Sequence, residues 1–355
     1  MIAVIMAGGV GSRFWPRSRV KHPKQLLDII TDQSMLRVTY DRLTNITDTN
    51  KIFVVAGPAL VAPIKHELPE MPAGNLIVEP SGKNTAPCIG LMAALLRADE
   101  QDDVMGVFPA DHLITDEKIF AEDVRTGANF SGDHNALITF GIQPTKPATG
   151  YGYIEFDHRQ SFFRNQIFKV ASFTEKPNRT KAENMFASGD YLWNSGMFLW
   201  RISSILKAFQ EHLPEMYSHL EKIAQAKGQK NFTDVLNENW EKISCESIDY
   251  GIMEQAGNVY VIRGRFEWND VGSWDALYDI SPKDEAGNFL DGNIKAINIK
   301  NCFFHSRDTR IAAVGVEDLI VIKSSDALLI VNRGDSESVK EVVNQLKADA
   351  EIEYL

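Results

Sequence analysis

A chain of 355 residues suits roughly two domains at about 150 residues each. Hydrophobic residues make up 44% and charged residues 24%, so a sizeable core can be buried and wholesale disorder is excluded. With 37 basic and 48 acidic residues the net charge is −11, which argues against broad nucleic-acid or anionic-membrane binding.

The first half alternates short β-branched runs with helical patterns. Strands are predicted at 2–6, 52–56, 76–78, 104–108 and 136–142. Most are apolar throughout, as strands buried on both faces of a parallel sheet are. Between them, Leu36, Tyr40 and Leu43 fall at helical spacing. A second helix is predicted over 84–98, with Pro87 near its first turn and Ile89, Met92, Ala93 and Leu96 on one face. Strand–helix–strand repetition predicts right-handed crossovers and an α/β sandwich, with ligands at the carboxyl ends of its strands.

From about 150 to 270 the pattern is mixed. Strands are predicted at 151–156, 167–174, 192–200 and 259–262, and helices near 180–188 and over 202–242. Short strands follow at 294–299, 302–305, 311–316, 319–322 and 327–331, punctuated by Gly292, Asn293 and Gly334. Residues 336–351 read as a closing amphipathic helix carrying Val339, Val342, Val343 and Leu346. The expected division is 1–285 and 286–355.

Cys88, Cys245 and Cys302 are odd in number and widely spaced, which gives neither a disulfide scaffold nor a zinc site. The opening MIAVIMAGG has no basic leader, and no apolar run approaches the about 18 residues that cross a bilayer. A cytoplasmic protein with no membrane partner is expected.

The most informative segment is AVIMAGGVGSRFWPRSRVKHPKQLL, at the first strand. Glycines after a buried strand let backbone amides approach and cradle phosphate, a role that Gly8, Gly9 and Gly11 fit. A dinucleotide fingerprint would need glycine at 14, where Phe14 stands, and a P-loop GK[ST] is absent. A basic cluster follows instead: Arg13, Arg17, Arg19, Lys21 and Lys24. The bland alternative is an ordinary βα turn with a solvated basic loop.

Two aspartates follow predicted or short strands: Asp111 in VFPADHLI and Asp270 in FEWNDVGSWDAL. Each alone reads as a turn or cap residue. Together, facing a polyphosphate, they would make a hard-oxygen site for Mg²⁺. EPSGKNTAP leads into a helix that Asn84 or Thr85 could simply cap. Glu175, Lys176 and Asn194 stand in or beside strands within FTEKP and LWNSGMFLW, where a buried polar group needs partners. Sugar hydroxyls or neighbouring backbone could supply them.

These segments resemble the sugar-nucleotide nucleotidyltransferases. The matching pieces are AGGVGSRFWPRSR with PKQ, EPSGKNTAP, FPADH, TGYGYI, FTEKP, NSGMFLW, SIDYGIME and NDVGSWDAL, in order from residue 7 to 277. FWPRSR with EP-x-GKNTAP points to the guanylyl–mannose branch. The resemblance implies a Rossmann-like α/β nucleotidyltransferase sandwich with a mostly parallel sheet. It also implies a small β-rich, short β-helix-like C-terminal domain with a closing helix.

The implied reaction is α-D-mannose 1-phosphate plus GTP giving GDP-mannose and diphosphate. Mg²⁺, or another divalent ion such as Mn²⁺, is the implied cofactor. Arg13, Lys24, Asp111 and Asp270 would be catalytic, and the two aspartates would hold the metal. Ala7, Gly8, Gly9, Gly11, Ser12 and Asp111 would lie along the nucleotide, with Glu79, Asn84 and Thr85 around guanine. Gly152, Glu175, Lys176, Asn194 and Asp249 would take the sugar phosphate. A homodimer is compatible with the resemblance and the apolar tail strands. Rival readings are the same chemistry on another sugar or nucleotide, and a non-catalytic sugar-nucleotide sensor.

Overall fold

The computed structural model describes residues 1–163 and 166–355. Among the described residues ten strands precede residue 264: β1 (Ile2–Met6), β2 (Ile52–Ala56), β3 (Leu76–Val78), β4 (Val104–Pro109), β5 (Leu113–Ile114), β6 (Leu137–Ile142), β7 (Tyr153–Phe162), β8 (Ile167–Thr174), β9 (Tyr191–Arg201) and β10 (Val259–Arg263). Five follow: β11 (Trp268–Asn269), β12 (Phe289–Ile297), β13 (Phe303–Val314), β14 (Leu319–Ser324) and β15 (Ala327–Asn332). The α-helices are α1 (Met35–Thr44), α2 (Val61–Glu67), α3 (Thr85–Ala98), α4 (Glu117–Asp133), α5 (Arg179–Ser188), α6 (Ile202–His212), α7 (Pro214–Gln225), α8 (Phe232–Lys242), α9 (Trp274–Ile280) and α10 (Val339–Ala348).

The chain forms two compact units that interlace in sequence. The first comprises Met1–Gly8, Thr39–Ala110 and Ile114–Trp268, and the second Gly9–Val38, Asp111–Leu113 and Asn269–Leu355.

The first unit is built on a nine-stranded sheet ordered β3-β2-β1-β4-β9-β6-β10-β8-β7. The pairings make β8 and β9 run against the other seven strands. The expected mostly parallel α/β sheet is therefore present. Strands β1, β2 and β4 are apolar throughout because helices cover both faces of that part of the sheet. On one face α3 meets α6 and α7 so closely that a Cβ on Gly90 would stand 2.5 Å from Leu220 Cδ1 and 3.0 Å from Phe209 Cζ. Phe198, Trp200 and Trp240 anchor that core. On the other face, a Cβ on Gly127 of α4 would meet Ile262 Cδ1 at 2.4 Å. The expected helix over 202–242 is three helices, because Pro214 starts a new one and Gly228 turns the chain at φ +79°.

The second unit carries a four-stranded sheet in which β12, β13 and β14 are parallel and β15 is antiparallel. Phe289 pairs with Phe303, and Phe303 with Ile320, so successive turns stack in register. This is the β-rich, helix-closed C-terminal arrangement expected. Phe303, Ile320 and Ile322 pack with Trp274, Val339 and Val343 on one face, while Cys302, Phe304 and Val321 cluster on the other. The strands expected at 302–305 and 311–316 are one strand, β13, which stays extended while residues 307–310 are exposed. Among the described residues no helix is long and apolar enough to cross a membrane.

Candidate active-site groups in the two units

The glycine loop passes from the first unit to the second between Gly8 and Gly9. In the second unit Gly11 sits at φ +68°, and a Cβ there would stand 2.4 Å from Lys24 Cβ. Glycine is thus required both by the left-handed backbone and by the approach of Lys24. A backbone bond from Lys24 N–H to Val10 O, 3.2 Å, and one from Ser18 Oγ to Gly11 O, 2.6 Å, close the loop.

Lys24 is buried, and its stem reaches from a short 3₁₀ turn that begins after Pro23. Its Nζ donates to Asp111 Oδ2 at 2.7 Å and to Asp270 O at 2.7 Å, and lies 5.5 Å from the Phe14 ring centre. One ammonium therefore brings three predicted residues together. Burial pushes the Asp111 carboxyl up, but the charges of Lys24 and His112 and the Lys24 hydrogen bond outweigh it and hold it below its ordinary value.

The remaining basic residues behave differently. Arg13 is half-exposed and pairs through Nε with Glu337 at 2.5 Å rather than with Asp111 or Asp270. Arg17 pairs with Asp28, which Arg307 also holds at 2.6 Å, and Arg19 pairs with Asp326 at 2.7 Å. Arg17 and Arg19 thus brace the second unit. Lys21 is exposed, and Ser12 opens the 3₁₀ turn that carries Arg13.

The donor set expected for a divalent ion is the two carboxylates of Asp111 and Asp270. Among the described residues no group of three or more His, Cys, Asp or Glu could hold a metal. Two carboxylates nevertheless suit Mg²⁺, which completes its shell with substrate phosphate and water. Lys24 bonds the Asp111 carboxylate and the Asp270 backbone carbonyl, and Gly272 has no Cβ where one would stand 2.8 Å from Asp270 Oδ2. Asp111 and Asp270 carry the hard oxygen donors that such an ion takes.

In the first unit Ala7 donates its N–H to Val55 O at 2.9 Å, so that amide serves the sheet. A Cβ on Gly8 would lie 3.7 Å from Glu79 Oε1. Glu79 is 5% exposed, and its Oε2 is buried without a hydrogen-bond partner. Burial raises its carboxyl to about 7. Asn84, at φ +72°, caps α3 by accepting the Thr85 N–H at 2.9 Å, and Thr85 Oγ1 accepts the Ile248 N–H at 2.9 Å. Asn84 thus does the capping that the bland alternative allowed, while Thr85 holds the Ile248 amide.

The other predicted residues of this unit form one cluster. Asn194 donates its backbone N–H to Gly152 O at 2.8 Å and its Nδ2 to Asp249 Oδ1 at 2.8 Å. A Cβ on Gly152 would strike Glu175 Oε2 at 2.4 Å, so only glycine leaves that carboxylate its place. Glu175 Oε2 is buried and unpartnered, while Oε1 takes Lys176 Nζ at 2.7 Å. Lys176 sits at φ +45°, a strained position for a side-chain-bearing residue. Asp249 is raised to about 7 by burial and the Glu175 charge, against the Asn194 hydrogen bond and Lys176. Burial lowers Lys176, but its bond and charge contact with Glu175 prevail and raise it.

Sequence reasoning passed over three participants. Thr139 Oγ1 donates to Asn194 Oδ1 at 2.7 Å, Glu254 Oε1 takes the Glu175 N–H at 3.1 Å, and Phe14 underlies Lys24. Only Phe14 left a signal, as the bulky residue where a third glycine was sought.

Residues 2–287 match the family model described as nucleotidyl transferase, and residues 292–346 the one described as MannoseP isomerase/GMP-like beta-helix domain. The chain is 37% identical to a mannose-1-phosphate guanylyltransferase of Klebsiella pneumoniae, over 100% of this chain and 75% of the relative. It is 40% identical to mannose-1-phosphate guanylyltransferase RfbM of Salmonella typhimurium, over 99% and 74%. A solved structure from Thermus thermophilus, described as a mannose-1-phosphate geranyltransferase, superposes with a TM-score of 0.87 at 30% identity, covering 98% of this chain and 99% of that one. The sheet order, the β-rich tail and these matches agree: the chain belongs to the nucleotidyl transferase family.

Proposed function

We infer that this chain transfers GMP from GTP to α-D-mannose 1-phosphate, giving GDP-mannose and diphosphate. A phosphate oxygen of the sugar phosphate attacks the α-phosphorus of GTP in line. The new P–O bond forms as the bond to the β-phosphate oxygen breaks and diphosphate leaves. The nucleophile is already an anion, so no general base is needed. The work is to hold two anions together and to neutralise charge on the leaving group.

The single observation that carries this reading is Lys24, a buried ammonium bonded to Asp111 Oδ2 and Asp270 O. In this role Lys24 stabilises the α-phosphate and the leaving oxygen. Arg13 and the amides of Gly8, Gly9 and Gly11 hold the β- and γ-phosphates, beside Ala7 and Ser12. Asp111 and Asp270 would hold Mg²⁺ or Mn²⁺, which when bound supplies charge neutralisation at the α-phosphate. Glu79, Asn84 and Thr85 surround guanine. A carboxylate is the natural acceptor for its N1–H and N2–H groups, and Glu79 Oε2 is without a partner. Gly152, Glu175, Lys176, Asn194 and Asp249 take the sugar phosphate, with Lys176 at the phosphate and the others at hydroxyls.

The proposed domain division is 1–285 for catalysis and 286–355 for the β-rich tail, close to the limits of the two family matches. A cytoplasmic location belongs to the same reading, as does a homodimer, which the exposed Val314, Leu328 and Ile330 of the tail sheet would suit. The test is diphosphate release across the four nucleoside triphosphates and several hexose 1-phosphates, with and without Mg²⁺. GTP with mannose 1-phosphate is expected to lead, and only with the metal. Preference for another pair, or no turnover with any, would overturn the assignment.

A further inference from the structure

One hydroxyl lies at the buried end of the cluster around Asn194. Thr139 belongs to β6 and is fully buried. Its single hydroxyl proton goes to Asn194 Oδ1 at 2.7 Å, with the Met197 carbonyl a more distant acceptor at 3.2 Å. Asn194 Oδ1 also accepts the Gly196 N–H at 3.3 Å, and Nδ2 donates to Asp249 Oδ1 at 2.8 Å.

An asparagine amide has an accepting end and a donating end, and its hydrogen-bond partners decide which points where. Here two donors face the oxygen and a carboxylate faces the nitrogen. Turned over, the amide would set its oxygen against Asp249 and its NH₂ against the Gly196 N–H. Nδ2 carries a second hydrogen, which a sugar hydroxyl can accept.

We propose that Thr139 is a positioning residue for the sugar phosphate. Through its bond to Asn194 Oδ1 it fixes the amide so that Nδ2 faces the ligand. This rests on the reading of Asn194 as a sugar-phosphate contact. Thr139 itself touches no substrate. A buried neighbour of similar shape but without the hydroxyl would leave the amide held only by Asp249 and the longer Gly196 bond, and so less firmly oriented, with little change in packing.

The test compares Thr139→Val, Thr139→Ser and Asn194→Ala by steady-state kinetics on the full chain. Loss of one neutral hydrogen bond corresponds to roughly five- to tenfold in an equilibrium constant. Thr139→Val is therefore expected to raise KM for mannose 1-phosphate about five- to tenfold, with KM for GTP changed less than about twofold. Thr139→Ser restores the hydroxyl and is expected to return to near the parent value. In the Asn194→Ala background, Thr139→Val is expected to add nothing further.

Equal rises in both KM values would mark a merely structural role and overturn the proposal. An unchanged sugar-phosphate KM in Thr139→Val, beside a raised one in Asn194→Ala, would overturn the role of Thr139 alone. An unchanged value in Asn194→Ala would overturn the underlying reading of Asn194. Should Thr139→Val fail to fold, Thr139→Ala removes the same hydroxyl without adding a methyl and reads the same split.

Discussion

Lys24 and Arg13 stand eleven residues apart in one basic stretch, yet their surroundings separate them. Lys24 Nζ is buried between Asp111 Oδ2 and Asp270 O, each at 2.7 Å. Removing Lys24 leaves the Asp111 carboxylate, a third of it exposed, without its cation, at a cost below the about 3–5 kcal/mol of a fully buried pair. Arg13 and Glu337 keep 43% and 59% of their side chains exposed, and such a pair contributes at most about 1 kcal/mol. Losing one preorganised electrostatic donor lowers kcat by roughly 10²–10³. Lys24→Met is therefore expected to lose both activity and several degrees of thermal midpoint. Arg13→Ala is expected to lose comparable activity with almost no change in midpoint. Turnover and thermal denaturation of the two variants check this; full activity in Lys24→Met would remove Lys24 from the chemistry.

At the scale of elements, the glycine loop works as one piece with the turn that presents Lys24. Gly9 and Gly11 both have positive φ, +87° and +68°, but only Gly11 is crowded. A Cβ on Gly9 meets nothing within 4 Å, whereas one on Gly11 stands 2.4 Å from Lys24 Cβ. Gly9→Ala should show only backbone strain of about 1–2 kcal/mol. Gly11→Ala must also displace Lys24, so it should cost more in midpoint and at least tenfold more in kcat. Equal effects in the two variants would mean that the loop does not position Lys24. The same contrast shows what was legible beforehand. Strands Ile2–Met6 and Ile52–Ala56 lie where continuous apolar runs put them, because burial on both faces leaves an unbroken signature, and the half-buried edge strand Leu76–Val78 lies where its short apolar run does. The turns of α6 to α8 were blurred because amphipathic periodicity continues across Pro214. Thr139 was invisible because it stands in LITFGI, a run that reads as core, and its partner Asn194 is 55 residues away. Charge and glycine spacing point to ligand-facing residues, while the residues that orient them are known only from the folded contacts.

Over the whole molecule, titration of buried acids sets opposing slopes. Glu79 lies at about 7 against an ordinary 4.5, and burial alone is the cause. The folded protein then holds a proton that the unfolded chain has released between those values. Its contribution to stability falls as pH rises from about 4.5 to about 7 and is constant beyond. Asp249 adds a fall of the same sign from about 3.8 to about 7. His305, lowered by burial and by Arg17 against its bond to Asp291, works the other way, because charging it as pH falls favours the unfolded chain. Asp28 and Asp111, held below their ordinary values, likewise lose their stabilising contribution in acid. A raw pH–stability curve therefore mixes several groups, but a difference between two chains isolates one. Glu79→Gln is nearly isosteric and never ionises. Its thermal midpoint is expected to match the parent near pH 4.5 and to rise above it through pH 7. The gap should then stay constant, at up to about 3 kcal/mol, or several degrees. Ligand-free denaturation of both chains at half-unit pH steps measures it. A gap that is flat across this range would mean that Glu79 is ionised throughout, and its unpartnered Oε2 would then have to be met by a group the fold does not show.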